Sequence, residues 1–107
     1  QRDDAHPDHE VSRSLHELLA ARFDVVDLPA PATLRDGEGW VDWSYVNHLV
    51  VNGGVIACAF DDPHDAEAMA ILREAYPGRD VVSVDARPLF DRGGGIHCIT
   101  QQQPSSR

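Results

Sequence analysis

Long apolar runs are missing from this chain. No stretch approaches the ~20 residues a helix needs to cross a bilayer, and no secretory signal pattern opens it, so a soluble, cytoplasmic protein without a membrane partner is expected. Basic residues are few as well, nine against eighteen acidic ones. The resulting net charge of -9 opposes binding to nucleic acid or anionic lipid and suits a small cationic substrate. Cysteine is equally scarce. Cys58 lies inside an apolar run and Cys98 follows glycines, contexts too different for a disulfide framework, so both thiols are expected to be reduced. Beside Cys98 only His97 has metal-ligating character, which leaves a zinc tetrahedron incomplete; no metal and no cofactor are expected. What is present is a chain of 107 residues, 42% hydrophobic and 25% charged, the make-up of one globular domain or a piece of one. Its first residue is Gln1 in a polar stretch, which suggests a piece of a longer protein.

Hydrophobic spacing organises the chain into α/β elements. Val11, Leu15, Leu18 and Leu19 form one stripe of a helix expected over residues 8–22. The β-branched run at 23–28 predicts a strand ended by Pro29 and Pro31, and a long polar loop follows to Ser44. Apolar runs at 45–51 and 55–60 flank Asn52-Gly53-Gly54, whose Asn-Gly pair supplies the positive dihedrals of a tight hairpin. Asp61-Asp62-Pro63 predicts the start of a second helix, with a capping carboxylate and a proline in its first turn. Met69, Leu72 and Tyr76 are its expected buried stripe, and Pro77-Gly78 its stop. The strand predicted at 80–84 repeats the one at 24–28 after 80 − 24 = 56 residues, each following an amphipathic helix, the pattern of a repeat architecture.

Chemistry is expected in Arg92-Gly93-Gly94-Gly95-Ile96-His97-Cys98-Ile99-Thr100. Three consecutive glycines clear side chains from the approach to a thiol and let a substrate lie against the backbone. The competing reading is a flexible turn followed by a short strand with a buried thiol. A cysteine-type phosphatase needs an Arg six residues after the thiol, where Pro104 stands. A phosphate-binding loop needs a helix after its glycines, but 96–100 is β-branched and reads as extended. In a strand His97 and Cys98 would face opposite ways, so the base that activates Cys98 is expected elsewhere. His6, His9 and His16 read as a solvated loop and helix face rather than a metal site, and His64 as a helix-start residue. Trp40 and Trp43, on either side of Asp42, fit either a pocket for an alkyl or cationic substrate or packing of the long loop.

Several segments carry a family resemblance: Tyr45-Val46-Asn47, Asn52-Gly53-Gly54-Val55-Ile56, Phe60-Asp61-Asp62-Pro63, Val84-Asp85-Ala86-Arg87, and the run from Gly93 to Pro104. In this order they resemble the C-terminal part of agmatine deiminases, which are grouped with bacterial, Porphyromonas-type peptidyl-arginine deiminases. The opening residues 3–9 resemble the loop that leads into a helix in that family. Gly95 departs from the pattern, since many members carry Asn or another small polar residue there. The resemblance implies that residues 1–107 are the C-terminal fragment of one guanidine-modifying domain, a pentein α/β propeller, contributing about two ββαβ modules. It implies hydrolysis of agmatine to N-carbamoylputrescine and ammonia, a step of putrescine biosynthesis, with Cys98 as nucleophile and Gly94 and Gly95 against the substrate. The family's acid–base histidine and its guanidinium-binding carboxylates would precede Gln1, so the fragment alone is expected to be inactive. A homo-oligomer is expected to be open to the full-length protein. Two alternatives stand beside this reading: a deiminase of peptidyl arginine, and a non-catalytic α/β module with a structural thiol.

Overall fold

A computed structural model describes residues 4–105. Asp3, which opens the expected loop at 3–9, lies outside the described residues. Three strands form one mixed sheet in the order β1-β2-β3, with β1 at Leu49–Val51, β2 at Gly54–Ala59 and β3 at Asp80–Asp85. The expected hairpin joins β1 to β2: Val51 pairs with Gly54 across Asn52-Gly53, and Gly53 takes φ 79°, a conformation that costs glycine no Cβ clash. Strand β2 then pairs in parallel with β3, which requires a crossover, and α2 (Asp65–Ala75) supplies it. The result is a complete ββαβ unit.

Strand β1 is shorter than its apolar run. Asn47 N–H donates to the Ser44 carbonyl at 3.2 Å and His48 N–H to the Val46 carbonyl at 2.9 Å, so 44–48 is a turn, not the beginning of a strand. Helix α2 also begins later than expected. Asp61 has φ 56°, and Asp62 turns its carboxylate back to accept from His64 N–H at 2.9 Å, so Asp61 to Pro63 stand before the helix. The two carboxylates that matter here hold loops together. Asp62 accepts from Ala32 and Thr33 N–H, each at 2.9 Å, and pins the long loop to the start of α2. Asp65 accepts from Phe60 N–H and, at 2.7 Å, from the buried Tyr45 hydroxyl. His64 Nδ1 donates to the Ala30 carbonyl at 2.7 Å, a structural tie.

The core lies between α2 and the sheet: Ala57, Cys58, Ala68, Met69 and Leu72 from these elements meet Tyr45, Ala86, Phe90 and Ile96. Phe60 is its centre, stacked parallel on Trp43 at 5.1 Å and edge-on to Tyr45 and Phe90 at 5.3 Å each. Of the expected stripe on α2, Met69 and Leu72 are buried, while half-buried Tyr76 packs against the core and His48.

Helix α1 (His9–Ala20) forms as expected, but its apolar stripe is exposed. The strand expected at 23–28 does not form, because no described segment offers it a ladder partner. His16 bonds Asp27 at 3.0 Å and ties this irregular segment to α1. A one-turn helix, α3 (Arg87–Phe90), escaped the sequence reading although Pro88 in its first turn is a start signal. Finally, 96–100 is not extended: His97–Ile99 is a 3-10 turn, closed by Thr100 N–H and Thr100 Oγ donating to the His97 carbonyl.

Candidate active site

The 3-10 turn brings Cys98 out of the loop and onto the surface, where the thiol is exposed in a cavity of about 500 Å3 shared with Asp42, Ser44, Asn47, Phe90 and Gly94. Each glycine of the run has its own reason. Gly93 takes φ 93°, and the chain leaves α3 through it. At Gly94 a Cβ would sit 2.9 Å from Cys98 Cβ and 3.1 Å from its Sγ, so the absence of a side chain there seats the thiol. Gly95 is buried below the cavity. A Cβ on it would meet Asn47 Cγ at 2.6 Å and Phe90 Cε2 at 2.8 Å, so the space that a side chain at position 95 would need is filled by Asn47.

Asn47 holds the thiol, and sequence reading assigned it no role. Its Nδ2 donates to Cys98 Sγ at 3.1 Å, while its Oδ1 accepts from His97 N–H at 2.8 Å. A backbone N–H can only donate, so the amide orientation is determined: oxygen toward His97, donor toward sulfur. Below it, the buried Cys58 thiol donates to the Asn47 carbonyl at 2.9 Å. Burial pushes the Cys58 thiol up, which keeps it protonated as that donor. Cys98 moves the opposite way. The Asn47 amide holds it below the usual thiol range, the Gly95 backbone adds to this, and the Asp42 carboxylate opposes it. Exposed and acidified, Cys98 has the character of a nucleophile; buried and neutral, Cys58 has that of a core thiol. Both cysteines are free.

Because 97–99 is a 3-10 turn, His97 and Cys98 no longer face opposite sides of a strand, and that ground for setting His97 aside falls. The ring still makes no hydrogen bond to the thiol among the described residues, whose partners are Asn47 and backbone. No other histidine among the described residues lines the cavity. His6 packs edge-on to Trp40 at 4.8 Å, His16 pairs with Asp27, and no group of three or more metal-ligating side chains occurs among the described residues. Trp43 is core packing on Phe60. Trp40 lies outside the Cys98 cavity, under the Arg35 guanidinium at 4.3 Å.

The model of the Porphyromonas-type peptidyl-arginine deiminases matches residues 1–104. The chain belongs to this family. A Streptomyces coelicolor protein that carries agmatine deiminase as a provisional name is 55% identical over 112 residues, covering 97% of this chain and 33% of that protein. The agmatine deiminase of Stutzerimonas stutzeri is 58% identical over 91 residues, covering 85% of this chain and 24% of that enzyme. Among solved structures, the agmatine deiminase of Enterococcus faecalis superposes with a TM-score of 0.86 at 26% identity, over 97% of this chain and 35% of that one. The chain therefore spans about a third of the length of the relatives it matches. The α/β fold is that of a part of these deiminases, as the motifs from Tyr45 to Pro104 imply. No helix among the described residues is long and apolar enough to cross a membrane.

Proposed function

We propose that the protein containing this chain hydrolyses the guanidinium group of agmatine, giving N-carbamoylputrescine and ammonia, with Cys98 as the nucleophile. The observation that carries this reading is the acidified, exposed thiol held by Asn47 in an open cavity. A guanidinium carbon is a poor electrophile, and a soft thiolate is suited to attack it. Cys98 Sγ bonds to that carbon, one C–N bond breaks with transfer of a proton, and ammonia leaves. Water then attacks the thiouronium carbon, the C–S bond breaks, and the sulfur departs as thiolate with the ureido product. The Asn47 Nδ2 donor stabilises the sulfur whenever it carries charge, before attack and again on release. Gly94 leaves the thiol its seat free of a side chain, and the Gly95 backbone bonds to Cys98 and favours its ionised form.

These residues form one wall of the site, within residues 1–107 as a part of a single guanidine-modifying domain. The acid–base histidine and the carboxylates of the family are assigned to sequence outside this chain, so residues 1–107 by themselves do not turn over. We place the reaction in the cytoplasm, where reduced thiols are the norm and N-carbamoylputrescine serves putrescine biosynthesis. The names of the matched relatives favour agmatine over peptidyl arginine. The test is ureido-product formation by the full-length protein. Agmatine is consumed, Cys98→Ala abolishes turnover, and arginine-containing peptides react poorly. A Cys98→Ala variant with ordinary turnover refutes the mechanism, and preferential reaction with peptides refutes the substrate.

A further inference from the structure

One charged group of the Cys98 cavity has no place in that mechanism. Asp42 is the single carboxylate lining the cavity among the described residues, and no hydrogen bond or ion pair occupies it. Four aspartates serve the fold instead: Asp62 and Asp65 cap backbone N–H groups, Asp85 grips Arg87 and Asp27 binds His16, whereas exposed Asp42, like Asp24, Asp80 and Asp91, has no side-chain partner among the described residues, and it alone of these lines the cavity. The backbone on both sides of Asp42 is nevertheless anchored. Val41 N–H donates to the Leu34 carbonyl at 3.1 Å, Trp40 bridges to Arg35, Trp43 stacks on Phe60, and the Ser44 carbonyl accepts from Asn47 N–H. An anchored segment thus presents an unpaired anion to a cavity that the His97 ring and the nucleophilic Cys98 sulfur also line.

A carboxylate facing the same cavity as a thiol opposes its ionisation, here against the stronger pull of the Asn47 amide and the Gly95 backbone. A cation seated between the two removes the conflict and gains from both. We propose that Asp42 is a substrate-binding carboxylate, which accepts N–H groups of the guanidinium seated against Cys98 and so selects cationic over neutral groups at the sulfur. The inference rests on the deimination reading and adds a consequence to it. Deimination converts a cationic guanidinium into a neutral ureido group, so the attraction to Asp42 ends when the reaction does, and product is released more readily than substrate.

The test compares Cys98 alkylation in the full-length protein by two reagents of similar size and equal leaving group, cationic 2-chloroacetamidine and neutral 2-chloroacetamide. The ratio of their rates cancels any change in thiol ionisation and reports charge selection at the sulfur. Wild type favours the amidine; Asp42→Asn lowers the ratio about tenfold or more, the scale of an opposite charge at close range. Asp42→Glu retains most of it. An unchanged ratio in Asp42→Asn, with both reagents still modifying Cys98, overturns the proposal even if Cys98→Ala abolishes agmatine turnover and the deimination reading stands. If Cys98→Ala turns over normally, the deimination reading fails, and the proposal with it.

Discussion

Gly93 and Gly94 are adjacent, but replacing them by alanine breaks different things. At Gly94 the backbone tolerates an L-residue, so the effect of a methyl group is steric. Its Cβ would lie 2.9 Å from Cys98 Cβ, whereas carbon atoms in ordinary contact keep about 3.5–4.0 Å. The Cys98 Cβ, carried on the backbone of a 3-10 turn, has to move by about 0.6–1 Å, and the 3.1 Å contact from Asn47 Nδ2 to Sγ opens with it. Misplacement of a reacting group by about 1 Å costs on the order of 100-fold in rate. Gly94→Ala is therefore expected to reduce kcat/KM for agmatine by about 10- to 100-fold, and to slow alkylation of Cys98 near neutral pH. Gly93→Ala meets nothing within 4 Å but must adopt φ 93°, a strain of about 1–3 kcal/mol. It is expected to lower the Tm of the full-length protein while leaving kcat/KM largely intact. Steady-state assays and thermal unfolding of both variants give the crossed pattern. Wild-type kcat/KM in Gly94→Ala, with an unchanged alkylation rate, refutes the account of how the thiol is seated.

Asn47→Ala removes the donor that keeps Cys98 acidic, so the midpoint of the alkylation rate against pH moves upward; a midpoint that stays in place shows that another group sets the thiolate population. Asp62 carries the acid sensitivity of the long loop. Burial raises its carboxyl, but the Ala32, His64 and Thr33 N–H groups more than offset this and hold it below the usual carboxylate range. With a folded-state pKa depressed below the unfolded one, its stabilisation is present above the unfolded value and is lost as pH falls through the folded value. Limited proteolysis of residues 29–34 is expected to accelerate in that acidic window, and Asp62→Asn to show the acceleration already at neutral pH.

The elements legible in the sequence are those that local chemistry determines. Asn52-Gly53 makes its turn because Gly53 tolerates φ 79°, and α1 and α2 follow their 3.6-residue spacing. The errors share a different origin, contacts distant in sequence. Ile96, Ile99 and Thr100 favour an extended chain locally, yet the His97 N–H bond to Asn47, fifty residues away in sequence, holds a 3-10 turn. Asn47 itself was hidden inside an apolar run, and no spacing rule links it to a thiol 51 residues on. Only its inclusion in the Tyr45-Val46-Asn47 motif marked the position. Cys98 was legible because a thiol after three glycines is unusual in itself, although the glycines turn out to shape the thiol's seat as well as its approach.

The 56-residue interval now has structural content. Helix α1 begins at His9 and α2 at Asp65, and 65 − 9 = 56, the same offset that separates the run at 24–28 from β3. In the second copy the helix packs its apolar face on β2 and β3; in the first, Val11, Leu15, Leu18 and Leu19 stand exposed, as does Val26 beyond them. An α-helix and a β-branched run that keep the repeat spacing, with Leu28 packed on the core but most of their apolar residues exposed, match the αβ part of a ββαβ unit. The segment at 23–28 thus fails as a strand for want of a neighbour, since a strand is defined by its ladder partner as much as by its own residues. The same incompleteness bears on the site. Cys98, Asn47 and Asp42 line one cavity open to solvent, and under the proposed deimination the acid–base and further guanidinium-binding groups complete that cavity from outside these residues.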